Sequence, residues 1–165
     1  MRCAQCGSDH PLDELELFFR RPDEVALLSD EERSQRVQEN PDLCVLDGTR
    51  FFVRGVIPLP VAQRERPYNI GAWVEVSPSS FERIYELWSE PDQDREPPLE
   101  GVLANAVTAG YSAFGLQVRL SLTGATTRPA ITVLAADHTL FSEQTQGISA
   151  HRAHEYSSRS NSSTA

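Results

Sequence analysis

The chain predicts an α+β fold: an antiparallel sheet of about four to five strands with helices on one face. Three observations carry that expectation. Segments at 70–77, 116–122 and 131–133 alternate apolar and polar residues with a period of two. Phe81, Ile84, Tyr85 and Trp88 recur at i, i+3, i+4 and i+7, the stripe of an amphipathic helix. The strand-like segments follow one another through short turns, which suit antiparallel neighbours, whereas parallel strands need long crossovers.

Taken in order, residues 11–28 mix apolar and acidic positions around Arg20-Arg21-Pro22-Asp23 without a period, which predicts irregular structure with a helical turn. Ser29-x-x-Glu32 has capping-box spacing and opens a short polar helix that stops before Asn40-Pro41. Phe51 to Pro60 is rich in β-branched and aromatic residues, and its prolines place it at a strand end or sheet edge. Ile70, Ala72, Val74 and Val76 alternate with Gly71, Trp73, Glu75 and Ser77, so a second strand pairs with the first. The helix carrying Phe81 to Trp88 opens on a second capping box, Ser79-x-x-Glu82, and ends before Pro91. Residues 90–98 are charged and proline-rich, a solvated loop within one domain. A short strand follows at 101–106. Leu116, Val118, Leu120 and Leu122 then form an antiparallel pair with Ile131 and Val133. A helix near Leu140–Gln146 stops at Gly147, and a further turn or helix runs through Tyr156. Residues 1–156 form a single globular domain, its first fifty holding a metal knuckle and a short helix. The serine-rich tail 157–165 is expected to be disordered.

Composition narrows the function. The chain has 165 residues, 39% of them hydrophobic, enough for a core without disulfides. Its net charge of −9 is uneven: residues 1–100 hold 21 acids and 11 arginines, residues 101–165 only 3 acids and 4 arginines. An acidic chain without clustered cations argues against nucleic acid, whose binding draws on released counterions. All fifteen basic residues are arginine. The absence of lysine removes Schiff-base, phosphate-loop and serine-lysine chemistries. No stretch approaches the ~18 apolar residues of a membrane helix, and no basic-then-apolar leader opens the sequence, so a cytoplasmic location without membrane contact is expected. Three cysteines, an odd number, suit a reducing compartment.

The chemical focus is Cys3-Ala4-Gln5-Cys6-Gly7-Ser8-Asp9-His10. Two thiols three apart, followed by a glycine, can turn into a knuckle with both sulfurs facing one point, as tetrahedral zinc requires. A redox pair and two incidental thiols are the alternatives. The redox reading lacks the strand before and the helix after that lower a thiol pKa in such pairs. The metal set predicted is therefore Cys3, Cys6, Cys44 and His10, with zinc in a structural role; His138 is the alternative fourth ligand. An open fourth position would leave water on the metal for hydrolysis. Elsewhere the bland readings prevail: His151 and His154 as a solvated pair, Asp137-His138 as a turn rather than a relay, Trp73 and Trp88 as core. No serine elbow or glycine-rich phosphate loop occurs.

The order of motifs resembles a bacterial family catalogued only as a domain of unknown function, number 2199, from Cys3 to about Glu155. The segments that carry the likeness are Cys3-x-x-Cys6-Gly7-x-x-His10, Asp42-x-Cys44-x-x-Asp47 leading into Phe51-Phe52-Val53-Arg54-Gly55, Gly71-x-Trp73-Val74, Arg128-Pro129, Asp137-His138-x-Leu140, Glu143-Gln144 and Gly147-Ile148. The resemblance implies a small intracellular bacterial protein whose three cysteines and His10 occupy the family's pattern, and it brings no activity. Thr139 departs from it, where the family has proline.

Three functional readings follow. The first is a non-enzymatic binding module for an unidentified protein, with catalytic residues absent and zinc holding the N-terminal segment. The second is a metal-dependent hydrolase, or a thiol enzyme using Cys6, with His138, Asp137 and Trp73 around the site. The third is an acidic, immunity-type inhibitor that masks a basic toxin.

Overall fold

The computed structural model describes residues 15–107 and 112–162. Among them, seven strands lie in chain order across one sheet: β1 (Val37–Glu39), β2 (Leu43–Leu46), β3 (Arg50–Leu59), β4 (Tyr68–Val76), β5 (Leu99–Leu103), β6 (Gln117–Ser121) and β7 (Ala130–Val133). Each is antiparallel to the next. The last strand also returns to β3 through a parallel bridge between Ala130 and Val56. A five-strand meander leaves its first and last strands pointing the same way, so β3 to β7 curl into a small barrel. β1 and β2 extend the sheet past β3.

The α+β class holds, but the sheet is larger than the four to five strands expected and it closes on itself. Closure is economical in backbone bonds. Val56 N–H donates to Pro129 O at 2.9 Å, and Gln144 supplies the rest: its Oε1 accepts from Val133 N–H and its Nε2 donates to Ile131 O, both at 2.8 Å. A side-chain amide thus takes the place a neighbouring strand would have, satisfying backbone groups that cannot be left unpaired when buried.

Inward residues of the barrel, among them Val53, Ile57, Ile70, Val74, Leu103, Leu120 and Ile131, form the main core. Among the described residues, five α-helices pack around the sheet: α1 (Asp23–Ala26), α2 (Asp30–Arg36), α3 (Pro78–Leu87), α4 (Thr139–Gln146) and α5 (Ala150–Ser162). They are not confined to one face. Ile84, Leu140, Ala153 and Tyr156 join the main core, while Val25 of α1 belongs to a second cluster with Cys44, Leu46, Phe52, Trp73 and Ala104. Phe52 and Trp73 alternate with inward Val53 and Val74, so this cluster lies on the outer surface of β2, β3 and β4.

Several local expectations hold. The Ser29–Glu32 box is complete, with reciprocal bonds of 3.1 and 3.2 Å. Gly147 ends α4 at φ 90°. Thr139 is the first helical position of α4, where proline is also well tolerated, so the departure from the family pattern costs no geometry. Others are corrected. α2 stops at Arg36, and Val37–Glu39 becomes an edge strand. Ser77, not Ser79, caps α3; its hydroxyl accepts from Ser80 N–H at 3.1 Å, and Pro78 occupies the first helical position. Tyr85 leaves the buried stripe, being 68% exposed. α5 runs beyond residue 156, and Ser157, expected in a disordered tail, is buried with its hydroxyl 2.9 Å from Tyr68 OH.

Gly55 sits at the seam. A Cβ there would stand 2.8 Å from Pro129 O and 2.9 Å from Ile131 Cγ1. Gly55→Ala is therefore expected to lower unfolding free energy by about 1–3 kcal/mol through overpacking, measured by urea denaturation; an unchanged midpoint would show that the seam yields freely.

Candidate functional site

The segment after the sequence's Cys-x-x-Cys motif folds as a strap over the outer cluster. Leu17 and Phe19 bracket Gly71 with two backbone hydrogen bonds of 2.9 Å, and Leu17 N–H donates to Tyr68 OH at 2.7 Å. Trp73 is buried beneath it, its indole N–H bonded to Phe19 O at 2.9 Å. Asn105 fastens the strap further on. Its Oδ1 accepts from Trp73 N–H at 2.8 Å, and its Nδ2 donates to Arg21 O and Asp23 Oδ1 at 2.9 Å each. Asp23 completes the clasp by accepting from Ala106 N–H at 2.7 Å.

Cys44 lies under this strap. It is buried on β2, opposite Glu39 on one side and Phe52 on the other. Phe19, Leu28 and Val37 pack against its cluster. Burial pushes the thiol up to about 12; Glu39 raises it further and Arg21 opposes the shift. Arg21 and Glu39 pair with each other at 2.9 Å. In this setting Cys44 is a neutral thiol of low reactivity, since nucleophilic and metal-ligating chemistry both need the thiolate.

Cys3, Cys6 and His10, the other predicted ligands, lie outside the described residues. Among the described residues, no group of three or more His, Cys, Asp or Glu side chains comes together as a metal site. His138, the alternative ligand, is engaged elsewhere. It caps α4, its Nδ1 accepting from Leu140 N–H at 3.0 Å, and its Nε2 lies 3.3 Å from Ser112 O. Both ring nitrogens thus address backbone, and Asp137 is exposed. Trp73 and Cys44 do share a cluster, whereas Trp88 packs partly buried on the main core. His151 lies 3.6 Å from Glu155 on α5, and His154 approaches Ser158 at 3.4 Å.

A buried polar network elsewhere escaped the sequence reading. Tyr156 OH donates to Glu143 Oε1 at 2.7 Å, Arg152 Nε donates to Glu143 Oε2 at 2.8 Å, and the Arg152 guanidinium covers the Tyr156 ring at 4.4 Å. Burial, then Glu143, raises the Tyr156 pKa. The network joins α4 to α5 and, through the Tyr68 and Tyr156 rings stacked at 6.0 Å, to β4. The i,i+4 spacing of Arg152 and Tyr156 was its one visible signal; Asn105 gave none.

A match to the family model described as "Uncharacterized protein conserved in bacteria (DUF2199)" spans residues 2–148, and the chain belongs to that family. It covers the whole barrel, the strap and α4. No curated protein and no solved structure matches the chain. No helix among the described residues is long and apolar enough to cross a membrane.

The Cys44 shift has a pH consequence. The unfolded thiol ionises near its ordinary value of 9.0 and the folded one at about 12. Stability from the buried proton is therefore complete below pH 9 and is lost as pH rises, by up to about 1.4 kcal/mol per pH unit. Urea unfolding of metal-free protein is expected to show this decline between pH 9 and 10, below most of Tyr156's contribution, and a shallower decline in Cys44→Ala. Equal slopes would place Cys44 in contact with water.

Proposed function

We propose that this protein is a non-enzymatic binding module whose N-terminal segment is held by a structural zinc ion. The observation that carries the first half is how the buried polar side chains, and half-buried Gln144, are used. Asn105 fastens the strap, Gln144 seals β7, Gln93 binds the carbonyls of Leu87 and Trp88 at 2.8 and 3.0 Å, and Glu143 and Ser157 hold the C-terminal helices. Asn105, Gln144 and Gln93 hold backbone, and Glu143 and Ser157 hold the side chains of Tyr156, Arg152 and Tyr68, so all five are committed to holding the fold together, which suits a scaffold that presents a surface.

The zinc half draws its support from the Cys3-x-x-Cys6-Gly7-x-x-His10 spacing and from the strap. Phe19 and Leu28, which follow that motif along the chain, pack on the cluster that holds Cys44. Cys3, Cys6 and His10 would supply three ligands and Cys44 the fourth. A metal ion at Cys44 has to displace a tightly held proton, so its binding should strengthen as pH rises.

Protein purified without a metal-binding tag is expected to carry about one zinc per chain by mass spectrometry, with large losses in Cys3→Ser and Cys6→Ser. A content near zero, unaltered by Cys44→Ser, rules the ion out. Retention of full zinc in Cys44→Ser would move the fourth ligand to another residue and leave Cys44 as core.

A further inference from the structure

Arg21, Arg50, Arg83, Arg128 and Arg152 each hold a carboxylate at 2.8–2.9 Å. Arg54, in the middle of β3, is half-buried and meets no carboxylate within ion-pair distance among the described residues. Its Nη1 makes one long hydrogen bond, 3.3 Å, to Pro41 O, and its Nε is buried without an acceptor. Such an atom in a folded protein calls for an explanation.

The surroundings supply one. Asp42, just before β2, sits beside Arg54, its carbonyl accepting Arg54 N–H at 2.9 Å, but its carboxylate is turned to Arg128 Nε at 2.8 Å. Arg128 therefore takes the carboxylate, and Asp42 reaches Arg54 only as a longer-range charge. Desolvation first, and then the charge of Arg128, lower the pKa of Arg54, the mark of a cation short of compensation. The Phe18 ring lies 5.3 Å over the guanidinium carbon and is itself 45% exposed. Gly71 keeps the floor open: a Cβ there would meet Phe18 Cβ at 2.9 Å and approach Arg54 Nη2 to 3.6 Å.

We infer that Arg54 and Arg128 together bind a small oxyanion, a phosphate or carboxylate group, on the outer face of β3 beside Phe18. Guanidinium forks match the paired oxygens of both groups, and Phe18 and the barrel wall reduce competition from water. The site goes beyond the scaffold reading and does not involve zinc, so either proposal can fail without the other.

The test is a nitrogen-15 NMR titration of the full chain with sodium phosphate and, separately, sodium acetate, at ionic strength held constant with sodium chloride. Saturable shifts are expected at the amides of Phe18, Arg54 and Gly71. Arg54→Gln and Arg128→Gln should each weaken the apparent affinity about tenfold, the size of one charge-assisted hydrogen bond, while Arg119→Gln, at an exposed position on β6, should leave it unchanged. Tighter binding of phosphate assigns a phosphoryl ligand, and tighter binding of acetate assigns a carboxylate. No saturable shift with either anion overturns the site, as do shifts that persist in both glutamine variants. If Arg54→Gln fails to fold, Arg128→Gln and Arg54→Lys, which keeps the charge and loses the fork, carry the comparison.

Discussion

Asn105 is fully buried, and its carboxamide ties together three stretches of chain that are far apart in sequence: β4, the strap at Arg21 to Asp23, and the segment following β5. Removing that amide would strand Trp73 N–H and Arg21 O in the interior, at a cost of about 1–3 kcal/mol for each group left without a partner. The outer face depends on this clasp. With the strap seated, Val25 and Phe19 close over Cys44 and Trp73, and Phe18 is carried to its place above Arg54. The same contact thus sets the protonation of a thiol and the walls of a candidate anion site.

The sequence was legible where a pattern repeats. Alternation located β4, β6 and β7, richness in β-branched and aromatic residues located β3, and the helical period located α3, because each buries a patterned apolar face against the main core. It was illegible where a segment is buried on both sides or too short to repeat. Leu43-Cys44-Val45-Leu46 is apolar throughout, so it shows no alternation, and Val37-Gln38-Glu39 has three residues and two polar side chains. Their hairpin is fixed by Asn40, whose Oδ1 accepts from both Asp42 N–H and Leu43 N–H at 2.8 Å, although Asn40-Pro41 reads simply as a helix stop. Closure of the barrel was likewise hidden, because it rests on Gly55, Pro129 and the amide of Gln144, which carry no periodicity. For the candidate metal set, spacing groups Cys3, Cys6 and His10, but nothing in spacing could reveal that Cys44 lies in an apolar cluster. Burial is a property of the strap that covers it.

The charge of −9 also looks different in three dimensions. Much of the acidity of the first hundred residues is met by arginine: Glu24 and Glu75 flank Arg50, Glu39 meets Arg21, Asp47 meets Arg36, and Glu96 meets Arg83. Exposed pairs of this kind contribute little to stability and are easily exchanged for other partners. A basic protein approaching this surface would compete with arginines already in place, which weakens the case for an inhibitor acting through bulk acidity. Arg54 gains its interest from the same pattern. Among the described residues it is the arginine whose Nε is buried without an acceptor, and the oxyanion proposal rests on that atom and on its position beside Arg128 and Phe18.

Cys44 brings the strap and the metal question together. A thiolate confined among Val25, Phe52 and Trp73 would be worse placed than in water, which is why the proton is held so firmly. Zinc can replace that proton, since a direct metal–sulfur bond outweighs the loss of hydration, but an ion also needs volume and three further ligands. Those ligands would have to come from the segment preceding the strap, and the apolar wall over Cys44 would have to admit the ion. Under the zinc reading, metal loading and seating of the strap are therefore one coupled step, and metal-free protein settles into the thiol form with the strap closed. If Cys44 is core alone, the strap closes whether or not zinc is bound. The strap's opening rate, read by exchange of the Phe19 and Trp73 backbone amides, then stays the same with and without the metal.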